Sequence, residues 1–557
     1  MLLSEQVRNI SGLDYALFTL VLVISVFIGY YHGVQSKTKP NTPDEFFLGN
    51  KNMSVFPVAV SLLVTFVSGM QIIGISADVY AHGMQLWLYV FTNFIMVLVT
   101  SYIFLPVLYE LQLPSSFSYL KLRFGRETQL LASFIYLIGA SLFVAINFYV
   151  PALVVRHITG TSIWLTTVVL GSVCIFYTAI GGFRAVIWAD FFQAILIIVC
   201  CLAIAFVGLN LVGGSKEVWS RAQSGGRTVL LNLDPDPTLR ISLWTMLFGH
   251  TFLTVNNFGL NQTSIQRFLS VSSLAKARRV LILFYAGFLL LHILSIATGL
   301  IIYAYYESCD PLTAGFIEKL DQLVPFFVFD TAEHLPGMPG IFVAGIFSAS
   351  LSTMSSCLNS ITTCFFEDFI RPFLPQLSKQ KTCNLLKILT VIMGCLQLCL
   401  VLIVDKLGTI YTVVITILGL TCGTMLGLFA MGIFLSKANQ KGAISGTIVS
   451  MLTVGVIIIG GFARVPDPPL PLNTNGCATN SSALINTTQP EHGDLPLIFR
   501  ISFMYYSTIG FLLVYLIGYP VSVLSGGNKI SDQRLLATFL RTEEPHDIEE
   551  LKSLPTF

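Results

Sequence analysis

The sequence predicts an all-α protein that crosses a membrane many times. The chain has 557 residues, of which 54% are hydrophobic and only 11% are charged, and its mean hydropathy is +0.77. A typical soluble domain carries about 25% charged residues. The apolar residues also form runs of about 20 residues, the length of helix that crosses a hydrocarbon core of about 30 Å. These observations indicate a polytopic membrane protein with little chain left for a soluble domain.

We predict thirteen spans. They lie near 13–31, 54–77, 84–108, 128–150, 162–180, 186–212, 242–262, 280–305, 336–366, 385–404, 409–435, 441–462 and 499–524. The first run follows an acid-containing start, lacks a small-residue cleavage site and precedes basic residues. We therefore interpret it as an uncleaved span and not as a signal peptide.

The distribution of lysine and arginine predicts the orientation of the chain. An odd number of spans puts the termini on opposite sides, and the bias places the N-terminus outside and the C-terminus in the cytoplasm. Two glycosylation sequons, at Asn480 and Asn486, fall in a loop that this topology independently places outside. We expect a multi-pass protein of the plasma membrane. Cys309 and Cys477 both fall in predicted extracellular segments and are candidates for a disulfide, although the sequence does not fix the pairing.

Several function classes are disfavoured by composition. The net charge of +2 provides no basic field for nucleic acid. No nucleophile–base pair, metal-ligand spacing or nucleotide-binding loop is evident, so we do not expect an enzyme. The lipid bilayer is the partner that the composition requires, and the oligomeric state is not encoded in any recognisable pattern.

Polar side chains form a stripe within the predicted span 336–366. Helical spacing puts them on one face, with Thr353 beside them: Ser348, Ser352, Ser355, Ser356 and Asn359. One interpretation is that the hydroxyls support close helix packing. The other is a cation site, because neutral oxygens can replace the water shell of a hard ion.

Two other spans contain a glycine among polar residues. The run 54–77 contains Thr65, Ser68, Gly69 and Gln71, and the run 242–262 contains Thr254, Asn256, Asn257 and Gly259. Such a segment can unwind and free backbone carbonyls, or it can be a kink satisfied by packing. Each run opens a group of five spans, 54–212 and 242–435, which is where inverted-repeat transporters break their helices.

Asp190 is a carboxylate at the junction of two long apolar runs, in the segment Tyr177–Gln193. Placing an ionised carboxylate within the membrane costs free energy, so an acid in this position indicates a functional role. The alternative is a structural salt bridge to Arg184.

Four segments together resemble the sodium/solute symporter family over about residues 14–524. They are YTAIGGFRAVIWADFFQ at 177–193, GLNQTSIQRFLS at 259–270, FSASLSTMSSCLNS at 347–360 and GTMLGLFAMGIFLSKANQKGA at 423–443. YYESCDP at 305–311, DQLVPFFVFD at 321–330 and the LST triplet at 351–353 resemble the branch of sodium-coupled monocarboxylate, multivitamin and iodide transporters.

The resemblance implies a leucine-transporter-like core of two inverted five-helix repeats. Residues 1–53 would hold the extracellular N-terminus, the extra first span and a cytoplasmic loop. The repeats would occupy 54–212 and 242–435, joined by the extracellular loop 213–241. Two additional spans with the glycosylatable loop would occupy 436–524, and the cytoplasmic tail 525–557.

The resemblance also implies which residues bind ligands. The shared sodium site would use carbonyls of Val64, Val67 and Ala349 and the hydroxyls of Ser352 and Thr353. A second sodium, present in some members, would lie near Asp190, Ser355 and Ser356. The solute would lie near Gln71, Tyr149, Thr254 and Phe258.

We therefore expect a sodium-coupled symporter that imports a small organic anion by alternating access. A monocarboxylate or a vitamin such as biotin or pantothenate would fit the branch, and sodium would be co-transported. The resemblance also disfavours a sugar. Sugar-carrying members resemble one another in having an acidic residue at the position of Val90 and a tyrosine at the position of Asn257. The alternatives are an iodide-like inorganic anion, a neutral solute such as a sugar or polyol, a channel or sodium-leak pathway, and a transport-dead sensor.

Overall fold

The computed structural model of the chain consists of helices and the loops between them. It describes residues 12–32, 42–331, 337–374, 377–404, 410–461, 469–474, 476–477, 495–528 and 532–541. Every regular element within these ranges is helical, which confirms the predicted all-α class.

Fourteen main helices follow one another along the described chain. They are α1 (Gly12–Tyr30), α2 (Val55–Phe66), α3 (Gly69–His82), α4 (Met84–Leu111), α5 (Arg126–Thr159), α6 (Ile163–Val212), α7 (245–260), α8 (Gln262–Leu269), α9 (Leu274–Tyr305), α10 (Met338–Cys364), α11 (Lys379–Val404), α12 (Ile410–Phe434), α13 (Gln440–Gly461) and α14 (Tyr506–Leu524). Shorter helices lie at Pro43–Leu48, Ser118–Arg123, Ser215–Ser224 and Leu323–Asp330.

The predicted count of thirteen spans is not confirmed. Within the described residues, ten helices are long and apolar enough to cross a membrane, or eleven if α2 and α3 together form one broken span. One reason is α6, which runs for 50 residues and is interrupted by Gly182 at φ 59° and ψ −157°. At 1.5 Å per residue it would extend about 75 Å, more than twice the hydrocarbon thickness. The other reason is α7, in which a four-residue α-helical turn separates two six-residue π-helical segments.

Helix α10 occupies the centre of the molecule. All of its residues except Ile341 are buried, and it packs against α1, α2, α5 and α6. Gly345 permits one of these approaches, because a Cβ there would lie only 2.4 Å from the Cβ of Cys200 on α6. The polar stripe of α10 therefore faces protein and not lipid.

Two segments far apart in sequence are joined next to the end of α9. Cys309 and Cys477 form a disulfide. The backbone N–H of Asp310 donates to the Asn473 carbonyl at 2.8 Å, and the Tyr80 hydroxyl donates to the Asp310 carboxylate at 2.5 Å. The loop is thereby connected to α3, the second half of the broken span. The sequon residues Asn480 and Asn486 lie outside the described residues.

The C-terminal segment 532–541 packs onto the helical body. Leu535, Leu536 and Ala537 are buried there. The Ala537 N–H donates to the Ile433 carbonyl of α12 at 3.1 Å, and Arg541 lies 2.9 Å from the carboxylate of Glu110 on α4. Part of the predicted tail is therefore a docked element.

Candidate functional site

The chain between α2 and α3 is unwound, as the polar glycine segment predicts. The two halves are bent by 53°. Val67 has φ −87° and ψ 81°, and Ser68 has φ −82° and ψ 166°, so neither residue is helical. Gly69 lies directly against α10, because a Cβ there would be 3.1 Å from Ile346 Cγ2 and 3.2 Å from Ser350 Oγ. The missing side chain lets the break and the hydroxyl-bearing helix approach each other.

Thr353 connects the break to α10. Its hydroxyl lies 2.9 Å from the Thr65 carbonyl and 3.1 Å from the Ala349 carbonyl, so three oxygens converge. Val64 and Val67, the expected carbonyl donors, flank this position and are 0% and 1% exposed. The Ala349 carbonyl was assigned by the resemblance, whereas the α2 carbonyl that Thr353 contacts belongs to Thr65, which the resemblance did not assign. The arrangement offers uncharged oxygens to a hard cation.

Ser352, the other expected hydroxyl ligand, points toward Asp190. The Asp190 side chain is fully buried and accepts hydrogen bonds from Ser352 at 2.7 Å, Ser61 at 2.5 Å and Ser356 at 3.3 Å. The Ser355 hydroxyl donates instead to the Ser352 carbonyl at 3.2 Å. Two of the three residues predicted for a second sodium, Asp190 and Ser356, are therefore in contact.

Arg267 of α8 is the charged partner of Asp190. Its Nη2 lies 3.2 Å from the carboxylate, and its side chain is 1% exposed. The guanidinium also donates to Ser61 at 3.0 Å, to Thr65 Oγ1 at 2.8 Å and to the Ser356 hydroxyl. A buried ion pair needs this many hydrogen bonds, because each charge loses its hydration on burial.

The alternative salt bridge between Asp190 and Arg184 is wrong. Arg184 donates to the Gly49 carbonyl at 3.2 Å. The two residues are six positions apart on α6, and such positions face different sides of a helix, unlike those three or four apart. Sequence analysis missed Arg267, although it lies within the quoted segment GLNQTSIQRFLS.

A cavity opens on the other side of the break. The volume that the centre of a water molecule can occupy in this cavity is about 80 Å³. Its described lining residues are Phe66, Ser68, Gln71, Ile75, Tyr89, Phe143, His250, Leu253, Asn257, Phe258, Phe288, Val414 and Leu418. Gln71 and Phe258 were predicted for the solute site, whereas Tyr149 and Thr254 are not among these residues. The Thr254 hydroxyl donates to the Thr251 carbonyl at 3.0 Å, within its own helix.

His250 is a polar lining residue that sequence analysis missed. Its ring stacks on Tyr89 at 4.0 Å, and its Nδ1 lies 3.1 Å from the Thr92 hydroxyl. It ends the first π-helical segment of α7, a geometry that periodicity does not reveal. The sequence did contain a signal, because a histidine within an apolar span suggests a functional site.

Comparison with known proteins identifies the family. The sequence model of the sodium:solute symporter family matches residues 46–450 of the chain. The chain is 33% identical to the mouse sodium-coupled monocarboxylate transporter 2 over 536 residues, which is 95% of this chain and 86% of that protein. It is 35% identical to the rabbit sodium-dependent multivitamin transporter over 532 residues, or 93% and 83% of the two chains. The chain therefore belongs to the sodium:solute symporter family, whose co-transported ion is sodium.

Solved structures confirm the predicted fold. The substrate-bound, outward-open structure of a sodium-coupled sialic acid symporter aligns with a TM-score of 0.76 at 22% identity, covering 94% of this chain and all of the other. A transporter of the nucleobase-cation-symport-1 family aligns with a TM-score of 0.54 at 13% identity, covering 89% and 97%. The chain is thus an all-α, polytopic membrane protein with the leucine-transporter-like core that the sequence predicts.

Proposed function

We propose that the protein imports a small monocarboxylate together with sodium by alternating access. The observation that carries the proposal is the position of the α2–α3 break. Its Thr65 carbonyl contacts Thr353 on α10, while its Ser68 and Gln71 line the cavity. The break and the helix ends on either side of it therefore reach both sites, and this is a physical basis for coupling ion binding to solute binding.

In this proposal the sodium ion binds where the break meets α10. Its ligands are the carbonyls of Val64, Val67 and Ala349 with the hydroxyls of Ser352 and Thr353. The Thr65 carbonyl lies close enough to Thr353 to join them. An ion held by oxygens of both helices stabilises their contact and favours the conformation that binds solute.

The cavity favours a small anion. A buried water needs roughly 10–15 Å³ of such space, so 80 Å³ corresponds to roughly five to eight water molecules. A short monocarboxylate of roughly that many heavy atoms matches this size, whereas a biotin-sized vitamin requires the cavity to widen. Ser68, Gln71, Asn257 and His250 are the polar groups available to hold a carboxylate among aromatic side chains.

The sodium gradient supplies enough energy for accumulation. A roughly tenfold gradient is worth about 1.4 kcal/mol per ion. Crossing about 70 mV adds about 1.6 kcal/mol. For a neutral solute, one ion thus supports roughly a hundredfold accumulation. One ion that moves with a monovalent anion carries no net charge, so its concentration gradient alone then supports roughly a tenfold accumulation. Two sodium ions per monovalent anion would make the cycle electrogenic, with Asp190 and Ser356 nearest to the second ion.

The proposed arrangement in the cell follows the sequence analysis. The protein lies in the plasma membrane with its N-terminus outside and its C-terminus in the cytoplasm. The repeats span 54–212 and 242–435, and the loop that carries Asn480 and Asn486 is extracellular and glycosylated. The excess of Lys and Arg in the predicted cytoplasmic segments supports this topology.

The first prediction concerns the sodium site. Replacing Ser352 and Thr353 by alanine removes sodium-dependent uptake of radiolabelled lactate while the protein still reaches the surface, because two ligand oxygens are lost. A matched control is Ser445→Ala with Thr447→Ala, whose hydroxyls bond within their own helix. Wild-type sodium dependence in the first variant would refute the site. Solute-independent, non-saturating current would favour a channel.

The second prediction concerns His250. His250→Gln raises the KM for lactate by about tenfold or more, since hydrogen bonds to charged groups contribute about 1.5–3 kcal/mol. His292→Gln is the control, because its Nε2 lies 3.0 Å from the Leu86 carbonyl and it is not among the described lining residues. Uptake kinetics across a panel of monocarboxylates, biotin, pantothenate and iodide measure both effects. An equal change in the two variants would contradict the assignment.

A further inference from the structure

Asp368 is a second buried carboxylate, remote from the sites described above. It follows α10 in the π-helical segment Phe365–Ile370 and is 1% exposed. Its oxygens accept hydrogen bonds from Ser115 at 2.9 Å, Gln129 at 2.6 Å and Ser133 at 2.5 Å. All three donors are neutral.

The lack of an ion pair distinguishes Asp368 from Asp190 and Asp78, two other buried acids. Asp190 pairs with Arg267, and Asp78 pairs with Arg240. Among the residues that the structure describes, no ion pair involves Asp368, and neighbouring Glu367 pairs with Arg371. An ionised carboxylate without a counter-charge is costly to bury, so this position favours a positive ligand.

A second stripe winds from the Asp190 contacts to Asp368 around α10 and the π-helical segment that follows it. Its side chains recur at every fourth position: Ser352, Ser356, Ser360, Cys364 and Asp368. Each step of four residues turns about 40° around the helix, so neighbouring members adjoin while the whole row winds along about 24 Å of helix. The stripe starts in contact with Asp190 through Ser352 and Ser356.

Buried polar atoms without partners accompany this stripe. The Oδ1 of Asn359 and the Oγ of Ser116 have no hydrogen-bond partner in the described structure. Asn359 adjoins the stripe through Gln266, whose Oε1 also accepts from Ser360 at 2.8 Å. Ser116 directly follows Ser115, one of the Asp368 donors. These oxygens are available to bind an ion or water.

We propose that Asp368, Ser115 and Ser133 form a monovalent-cation site that receives sodium on its way to the cytoplasm. This inference rests on the proposed sodium import and on the topology that places this end of α10 inside. The serine hydroxyls can rotate so that their lone pairs face the ion while the carboxylate supplies the charge. The hydroxyls of Ser352, Ser356 and Ser360 on α10 provide oxygens along part of the way between the two acids.

The test compares sodium activation from the two faces of the membrane. Radiolabelled sodium exchange is measured in right-side-out and inside-out vesicles that contain the full-length protein, with lactate on both sides. Asp368→Asn raises the half-maximal cytoplasmic sodium concentration by about tenfold, because the charge is lost. It changes the extracellular value by less than about twofold, because the Thr353 site is intact. Glu367→Gln is the matched control and shifts neither value.

Ser133→Ala is the second variant, since it keeps the carboxylate and removes one oxygen of α5. It produces the same one-sided shift, smaller in size, and it decides the question if Asp368→Asn does not reach the surface. Equal shifts on both faces would indicate that Asp368 only links α10 to α5, and unchanged values would also overturn the proposal. A wild-type protein without sodium-dependent transport would instead refute the proposed function.

Discussion

At the scale of single residues, the decisive feature is the compensation of a buried charge. Asp190 stands out in the sequence because an acid lies between apolar runs. Its partner Arg267 is 77 positions away and could not be identified from spacing. Their contact means that a second sodium at Asp190 would share the carboxylate with a guanidinium already present. The Thr353 site, by contrast, consists of neutral oxygens.

The third prediction tests this ion pair. Arg267→Met leaves Asp190 buried without a counter-charge and destabilises the protein by about 3–5 kcal/mol. The double variant Asp190→Asn with Arg267→Met loses less unfolding free energy than the two single variants together, because it leaves no buried charge without its partner. Thermal unfolding of the detergent-purified protein measures the effect. The control Arg371→Met breaks an ion pair in which Arg371 is 59% exposed and shifts stability by about 0–1 kcal/mol.

Additive effects of Asp190→Asn and Arg267→Met would show that the two side chains do not stabilise each other. Asp190→Asn is also expected to change the sodium concentration that gives half-maximal uptake. Unchanged sodium activation in that variant would assign the pair a purely structural role.

At the scale of elements, local irregularity positions the sites. The α2–α3 break could be predicted because glycine among polar residues disfavours a continuous span. The π-helical segments of α7 could not, because they depend on how that helix packs against α4, α12 and α14. These segments bring His250 to the cavity, while Thr254 remains bonded within α7.

The fourth prediction concerns the contact between the break and α10. Gly69→Ala places a Cβ 3.1 Å from Ile346 and pushes the two elements apart. Overpacking of this kind costs about 1–3 kcal/mol, so half-maximal sodium rises about fivefold or more. Gly455→Ala on α13 is the matched control, because a Cβ there meets nothing within 4 Å. Sodium titration of lactate uptake compares them, and indistinguishable titrations would contradict the close contact.

At the scale of the whole molecule, distant parts of the chain close over the helical body. The disulfide joins the Cys309 loop to Cys477, across 168 positions. The segment 532–541 bridges α4 and α12 through Arg541 and Ala537. Composition and hydropathy assign both regions to loops and tails, so the disulfide was only a candidate in the sequence and the docking of 532–541 was not predicted.

The fifth prediction tests the docked C-terminal segment. Truncation after Asn528 removes the buried Leu535, Leu536 and Ala537 and lowers the unfolding temperature by several degrees, because apolar burial is lost. Truncation after Arg541 keeps the segment and is the control. Light-scattering or fluorescence melting curves of the purified proteins give the difference. Identical curves for the two truncations would show that docking contributes no stability.

The sequence by itself determined the class of protein, the family and the two helices that form the proposed sodium site. It did so because a helix that crosses lipid must be long and apolar, and because a glycine among polar residues or a stripe of hydroxyls is easily recognised within such an apolar run. Tertiary structure alone decided that Arg267 neutralises Asp190, that His250 faces the cavity and that Asp368 is buried without an ion pair to any residue in the described part of the chain. Those facts depend on which helices meet in space, and helical periodicity specifies the face of a residue but not the element opposite it.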